Sequence, residues 1–189
     1  GATPLGFYNR GYQILTAPAG RLLAPLTQVV VPTLNRARAQ GHSYEPLLLR
    51  IQFMVGVGMV WLFSVTAGTA DRLIPFVLGP GWDSTVTVFK ILAVGGCFWV
   101  FSTVSYWAFI LNQQSRELLR YNLISKPLAI LCLVGGSFFG IEGVAWGYVV
   151  AMALSWPLNL AWLARTAELP ARSFAANGSI VISAGIVGG

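Results

Sequence analysis

The sequence predicts an all-α fold, a polytopic transmembrane helical bundle, from three observations. Hydrophobic residues make up 56% of the 189-residue chain and charged residues only 10%, and the mean hydropathy is +0.69. A soluble domain carries about 25% charged residues, so this chain has too few charges to cover a water-exposed surface. The charges also stand far apart, and whole segments between them carry none. That spacing is typical of membrane-spanning helices.

Six apolar segments are predicted to span the bilayer, which makes residues 1–189 a single transmembrane region. Residues 51–70 carry no charge, and a 20-residue helix rises about 30 Å, the thickness of the hydrocarbon core. The same criterion predicts spans at residues 11–34, 91–115, 122–141, 143–164 and 173–189. Both ends of the chain are interpreted as cuts in a longer protein, and the last span is predicted to be truncated.

The segments between the spans predict local structure of three kinds. Prolines 18, 25 and 32 remove backbone donors, so the first span is expected to kink or break. Residues 71–83 are too short to span and contain a Gly-Pro-Gly turn, which predicts a short interfacial helix and loop. The spans at 122–141 and 143–164 are almost contiguous and predict a tight antiparallel hairpin. Gly143 and Gly147 form a small-xxx-small pair that favours close helix packing.

The basic residues predict the orientation of the chain in the membrane. If successive spans alternate in direction, one side receives eight basic residues: Arg36, Arg38, Arg50, Arg116, Arg120, Lys126, Arg165 and Arg172. The other side receives Arg10, Arg72 and Lys90. Cytoplasmic loops carry the excess of Lys and Arg, so the first side is predicted to be cytoplasmic. The first span then runs from outside to inside.

Several classes of chemistry are not indicated. The net charge of +6 is spread over span ends instead of forming one patch, so no nucleic-acid partner is predicted. Cys97 and Cys132 lie inside apolar runs, and His42 has no Cys or His neighbour, so no metal site is predicted. No nucleophile elbow, paired carboxylate or phosphate loop occurs. The sequence therefore predicts no cofactor and no enzymatic activity.

Three basic residues are candidates for substrate binding. Arg21 lies about ten residues inside the first predicted span, where a charge is costly and usually faces an aqueous cavity or a partner. Such a guanidinium could bind a phosphate or pyrophosphate group through charge-assisted hydrogen bonds. The alternative is that Arg21 snorkels to the membrane interface. Arg10 and Lys126 could line the same passage, or could be ordinary anchoring charges at span ends.

Short motifs distributed along the chain resemble those of a known family. They are Gly6-Phe7-Tyr8-Asn9-Arg10-Gly11-Tyr12-Gln13, Ala24-Pro25-Leu26, Val31-Pro32-Thr33-Leu34-Asn35-Arg36 and Leu78-Gly79-Pro80-Gly81-Trp82. Together with the order of the spans, they resemble the polysaccharide biosynthesis (Wzx-like) flippases of the multidrug/oligosaccharidyl-lipid/polysaccharide exporter superfamily. The exopolysaccharide and colanic-acid branch is the most similar.

The resemblance implies a fourteen-helix exporter fold of two six-helix lobes and two further helices, with this chain forming most of the second lobe. It implies translocation of undecaprenyl-pyrophosphate-linked oligosaccharide repeat units across the bacterial inner membrane by alternating access. The expected partners are that lipid-linked oligosaccharide, membrane lipids and the remaining helices of the full-length protein. Arg21 is where the resemblance suggests binding of the pyrophosphate.

Two other functions remain open from the sequence. A drug/cation antiporter of the same superfamily would need an acidic residue within a span to bind a proton or sodium ion, and none is found there. A membrane polysaccharide polymerase or acyltransferase would be expected to carry a long loop with paired catalytic residues. The longest loops here have roughly twenty residues and lack such a pair.

Overall fold

The computed structural model describes residues 4–41, 43–166 and 171–187, and every regular element in them is an α-helix. In chain order these helices are α1 (Pro4–Ala39), α2 (Glu45–Gly68), α3 (Ala70–Leu78), α4 (Asp83–Leu111), α5 (Ser115–Ser137), α6 (Gly140–Thr166) and α7 (Ala171–Val187). Helices α1, α2, α4, α5 and α6 are long and apolar enough to cross a membrane. The predicted all-α polytopic bundle is confirmed.

The helices extend beyond the apolar segments from which they were predicted. Helix α5 begins at Ser115, seven residues before the predicted span at 122–141. Lys126, expected at the start of that span, is therefore the twelfth residue of a 23-residue helix. Helix α1 is continuous through all three of its prolines. His42 and the last two residues of the predicted span at 173–189 lie outside the described residues, and the bilayer limits of the spans stay predictions.

Helix α4 lies at the centre of the bundle and packs against α1, α2, α3 and α6. In the most apolar 18-residue segment of α4, 56% of the residues are buried, whereas the corresponding share in α5 is 11%. Helix α5 is therefore peripheral and packs mainly against α6. Trp107 and Phe109 of α4 are among the largest fully buried side chains. The Trp107 indole Nε1 donates a hydrogen bond to Thr27 Oγ1 at 3.0 Å, which satisfies its only polar atom and joins α4 to α1.

Contacts at the two ends of α1 and α4 show that these helices run in the same direction. At their C-terminal ends, the Arg38 guanidinium donates to the carbonyl oxygen of Leu111. At their N-terminal ends, the Thr85 hydroxyl donates to the carbonyl oxygen of Phe7. Because α2 lies between them in the chain, this pairing agrees with alternating directions. The excess of basic residues lies at the end marked by Arg38, which stays the predicted cytoplasmic end.

The segment at 71–83 forms the expected short helix and turn. Helix α3 ends at Leu78, and Gly79 and Gly81 adopt φ angles of 84° and 89°. These angles lie in the left-handed region, where a side chain would be strained, so both glycines are required by the turn. Phe76 of α3 is 88% exposed. An exposed ring of this kind suits the predicted interfacial position of α3.

An exposed ion pair connects α3 to α4, and we expect it to contribute little to stability. Lys90 Nζ lies 2.7 Å from Asp71 Oδ2, and this hydrogen bond holds the pKa of Asp71 below its ordinary value. A lowered folded-state pKa gives stabilisation that is present above the unfolded-state pKa and is lost as pH falls through the folded-state pKa. Asp71→Asn should therefore lower the thermal midpoint slightly at pH 7 and not at all at acidic pH, where both proteins are uncharged at this position. A difference that persists in acid would contradict this account.

The α5–α6 hairpin is packed backbone to backbone, and the predicted tight packing is confirmed. A Cβ atom added to Gly147 would overlap the backbone carbonyl of Cys132, and one added to Gly136 would overlap the carbonyl of Gly143. Gly143 in turn faces the carbonyl of Gly136. The two backbones therefore touch directly, which only glycine permits.

Candidate functional site

The first candidate surface is the side of α1 that faces away from the bundle. Leu15, Ala19 and Leu23 are buried, and Gly11 on the same side lies against Val88 and Phe89 of α4. At 100° per residue, Arg21 lies about 200° around the helix from both Ala19 and Leu23, so it points away from α4. Its side chain is exposed.

Two further polar side chains share this side of α1 with Arg21. Arg10 precedes Arg21 by 11 residues, which is three helical turns or about 16 Å, and Gln28 follows Arg21 by two turns. Both are exposed, and Arg10 donates a hydrogen bond to Gln13 Oε1 at 3.2 Å. We call Arg10, Arg21 and Gln28 the polar face of α1. Its centre lies near the middle of a 36-residue helix.

The prolines add backbone acceptors to the polar face. Pro25 has no N–H, so the carbonyl of Arg21 has no helical donor four residues later, and Pro32 has the same effect on the carbonyl of Gln28. A carbonyl without a donor is costly in hydrocarbon and is tolerated where it meets water or another polar group. Helix α1 continues through these prolines, and the carbonyls without donors make one side of the helix unsuited to contact with lipid.

The exposed side of α5 has a different chemistry. Leu123, Ile130, Leu131 and Val134 are all large, aliphatic and more than half exposed. Such side chains are suited to contact with lipid tails. Next to Arg21 and Gln28, α1 exposes alanines and prolines, while Leu22, Leu26 and Val29 are exposed on its flank. The strip centred on Arg21 is therefore suited to an aqueous cavity or to another polar surface.

The second candidate surface is a groove between α4 and α5, with α6 as its floor. We call it the polar groove, and its volume is about 280 Å³. Its lining residues are Trp99, Ser102, Thr103, Tyr106, Leu118, Tyr121, Asn122, Ser125, Lys126, Ala129, Met152, Ser155 and Asn159. Seven of these thirteen have an amide, an aliphatic hydroxyl or an ammonium group, an unusual density for the side of membrane-length helices. Lys126 is the single charged residue among them.

Hydrogen bonds within the polar groove fix some of its side chains and leave others available. The Tyr121 hydroxyl donates to the carbonyl of Ser155 at 3.2 Å and ties α5 to α6. Asn122 Nδ2 donates to the carbonyl of Leu118 at 2.9 Å. Asn159 is only 3% exposed, and its Oδ1 accepts no hydrogen bond in the described structure. A buried amide oxygen without a donor costs about 1–3 kcal/mol, so it is a strong candidate for ligand contact.

The structure does not bring the three predicted binding residues into one pocket among the residues it describes. Arg10 and Arg21 share the polar face of α1, while Lys126 lines the polar groove. Their role in substrate binding stays a prediction. Sequence reasoning missed Ser155 and Asn159, although their i, i+4 spacing within an apolar segment is a usable signal for two polar groups on one helix face.

Metal-binding groups of three or more His, Cys, Asp or Glu residues are not found in the described part of the chain. The described carboxylates instead share one position, the first turn of a helix: Glu45, Asp71, Asp83, Glu117 and Glu142. A negative charge there is stabilised by the helix dipole. Each carboxylate therefore has a local structural explanation.

Comparison with known proteins finds similarity to proteins of polysaccharide biosynthesis. Residues 1–87 match the model of a family described as polysaccharide biosynthesis protein. The chain is 26% identical over 174 residues to the teichuronic acid biosynthesis protein TuaB of Bacillus subtilis, covering 86% of this chain and 34% of TuaB. It is 23% identical over 161 residues to the lipopolysaccharide biosynthesis protein WzxC of Escherichia coli, covering 82% of this chain and 32% of WzxC.

The resemblance to the polysaccharide biosynthesis proteins is confirmed. With its five membrane-length helices, the chain is part of a multi-pass protein of the bacterial inner membrane. It spans about a third of the length of the curated relatives it matches. No solved structure matches the chain.

Proposed function

We propose that the complete protein translocates a lipid-linked oligosaccharide from the cytoplasmic to the outer leaflet by alternating access. In this proposal the described helices form most of one lobe, the second of two, and the remaining helices form the opposite wall of a cavity. The match to a polysaccharide biosynthesis family supports this proposal, as do the names of TuaB and WzxC, which refer to the biosynthesis of teichuronic acid and lipopolysaccharide. The proposed carrier is of the undecaprenyl-pyrophosphate type.

The observation that carries the proposal is the polar face of α1. A membrane-length helix that exposes Arg10, Arg21 and Gln28 on one side needs a polar environment along that side. A cavity between two lobes supplies it. The guanidinium of Arg21 is planar and permanently charged, so it can bind two oxygens of a phosphate group at once.

The physical task requires such a cavity. Each hydroxyl of a sugar that enters hydrocarbon without a hydrogen bond costs several kcal/mol, so an oligosaccharide does not cross the bilayer unaided. Two lobes that alternately open to each side allow the sugar to move through water-filled space while the lipid tail stays in the bilayer. No bond is made or broken in this step, so no catalytic group is needed.

The described carboxylates give no support to the antiporter alternative. All five lie in the first turn of a helix, where they are close to a membrane surface in the predicted topology. A proton or sodium antiporter is expected to bind its ion at a carboxylate near the middle of the bilayer. The polar groups that lie deeper in the described helices are cationic or neutral.

Reconstitution of the complete protein tests the proposal. Lipid-linked oligosaccharide purified from the producing strain would be placed in vesicles with and without the protein, and a lectin added outside would report sugar that reaches the outer leaflet. We expect the protein to accelerate lectin access and to have no effect on a phospholipid reporter. Equal rates with and without protein would contradict translocation.

A further inference from the structure

The polar groove adjoins a second cavity along the bundle. The second cavity has a volume of about 250 Å³ and is lined by Tyr8 and Tyr12 of α1 and by residues of α5 and α6, including Tyr148. Ala129 and Met152 line both cavities, so the two cavities are direct neighbours, and we treat them together as one groove. We call the second part the tyrosine end.

The two cavities together extend along the middle of α6. Asn159 lies seven residues, or about 10 Å, before the C-terminal end of α6, and Tyr148 lies eight residues, or about 12 Å, after its start. Ser155 lies between them. In the predicted topology, these residues form a series of polar groups from the cytoplasmic half of the bilayer to the outer half.

The tyrosine end presents aromatic rings. The rings of Tyr8 and Tyr12 are stacked with centroids 6.2 Å apart, and Tyr12 meets Tyr148 edge-on at 5.7 Å. Each ring offers an apolar surface with a hydroxyl at its tip. A ligand that suits this cluster has apolar faces and hydroxyl groups around them.

The polar groove supplies mainly neutral hydrogen-bonding groups. Asn159 and Ser155 are 3% and 6% exposed and face a cavity, and Asn159 Oδ1 has no donor in the described structure. Lys126 contributes one cation, and no carboxylate is among the described residues that line either cavity. A free metal ion or a cationic drug would find no counter-charge here, whereas a hydroxyl-rich ligand can donate to the amide oxygen.

We infer that this groove binds the saccharide part of the lipid-linked substrate and guides it along α6, at a place separate from the polar face of α1. Aromatic surface combined with a few convergent polar groups is the usual construction of a specific small-molecule pocket. The inference rests on the proposed translocation and adds a saccharide site to it. Arg21 points away from the side of α1 that carries Tyr12, so the two surfaces can be tested separately.

Cysteine labelling of the complete protein tests the inference. With Cys97 and Cys132 replaced by alanine, Ser102→Cys places a thiol on the wall of the polar groove, and Ser137→Cys provides a matched exposed control at the end of α5. A membrane-impermeant maleimide is added with either purified lipid-linked oligosaccharide or undecaprenyl pyrophosphate without sugar. We expect the glycolipid to slow labelling of Ser102→Cys, the sugar-free lipid to have no effect, and Ser137→Cys to react equally throughout.

Three outcomes would overturn the inference. Equal protection by both lipids would assign the groove to the diphosphate or the lipid tail. Absence of protection would exclude the saccharide, and a Ser102→Cys thiol that never reacts would show that another helix of the protein fills the groove. Gln28→Cys on the polar face of α1 separates these failures from failure of the proposed function, because the glycolipid should still protect that position if translocation stands.

A second variant measures the contribution of the buried amide. Asn159→Leu keeps a side chain of similar size and removes the free acceptor, so we expect about tenfold weaker glycolipid binding, as for one lost buried hydrogen bond. Binding of sugar-free undecaprenyl pyrophosphate should be unchanged, which also shows that the variant is folded. Equal weakening for both lipids would contradict a saccharide contact at Asn159.

Discussion

Replacement of Arg21 by alanine in the complete protein is expected to abolish surface polysaccharide while leaving the amount of protein in the membrane unchanged. The side chain is exposed and forms no ion pair within the described residues, so its removal breaks no packing contact of the bundle. The variant loses a permanent cation that can bind the phosphate groups. Each charge-assisted hydrogen bond between the guanidinium and a phosphate oxygen is worth about 1.5–3 kcal/mol. Staining of surface glycan and an immunoblot of membranes measure the two quantities.

Two neighbouring substitutions serve as controls for Arg21→Ala. Arg21→Lys keeps the charge and loses the planar pair of donors, so we expect partial export. Leu22 is exposed on the apolar side of α1, and Leu22→Ala should export normally. Wild-type export by Arg21→Ala would remove Arg21 from the mechanism and would favour the interpretation that it snorkels to the interface.

The helices were predictable because their signal is local. The uncharged run at 51–70 coincides with most of α2, and the Gly-Pro-Gly turn after residue 78 does separate α3 from α4. The length of an apolar segment and the tolerance of glycine for left-handed backbone are both set by residues that are close together in the chain. The limits of α5 were less predictable, because its first turns carry Arg116 and Arg120 and extend beyond the apolar segment.

The candidate site was only partly predictable because it depends on which helices meet. Arg21 could be singled out from its charge alone, and the direction in which it points required the packing of α1 on α4. Asn159 is unremarkable in the sequence, since one amide in a span has no marked signal. It becomes notable because α4, α5 and α6 form a groove that Asn159 lines, while its amide oxygen accepts no hydrogen bond in the described structure.

The sequence predicts that the prolines of α1 disturb its backbone hydrogen bonding. The expectation was a kink or a break, and α1 continues without a break through Pro18, Pro25 and Pro32. Pro25 and Pro32 also leave two carbonyls, each four residues earlier, without a helical donor. Their positions at residues 21 and 28 coincide with Arg21 and Gln28, so backbone and side chains make the same face polar.

Gly147→Leu is expected to be strongly destabilising, because it forces a side chain into the α5–α6 contact. Any side chain at this position meets the backbone carbonyl of Cys132, which cannot turn aside as a flexible side chain would. The helices must separate, and overpacking of this kind typically costs about 1–3 kcal/mol and occasionally more. Thermal unfolding of the purified protein in detergent, followed by size-exclusion chromatography, measures the loss.

Gly135→Leu is the matched control, because no atom lies within 4 Å of a Cβ added at Gly135, one residue from the contact. Removing a helix-interior glycine there should be neutral or slightly stabilising. Equal thermal midpoints for the two variants would contradict direct backbone contact between α5 and α6.

Because Lys126 lies on α5 and Asn159 on α6, forcing these helices apart should also widen the polar groove. Gly147→Leu protein that remains folded is therefore expected to lose glycolipid binding as well as stability.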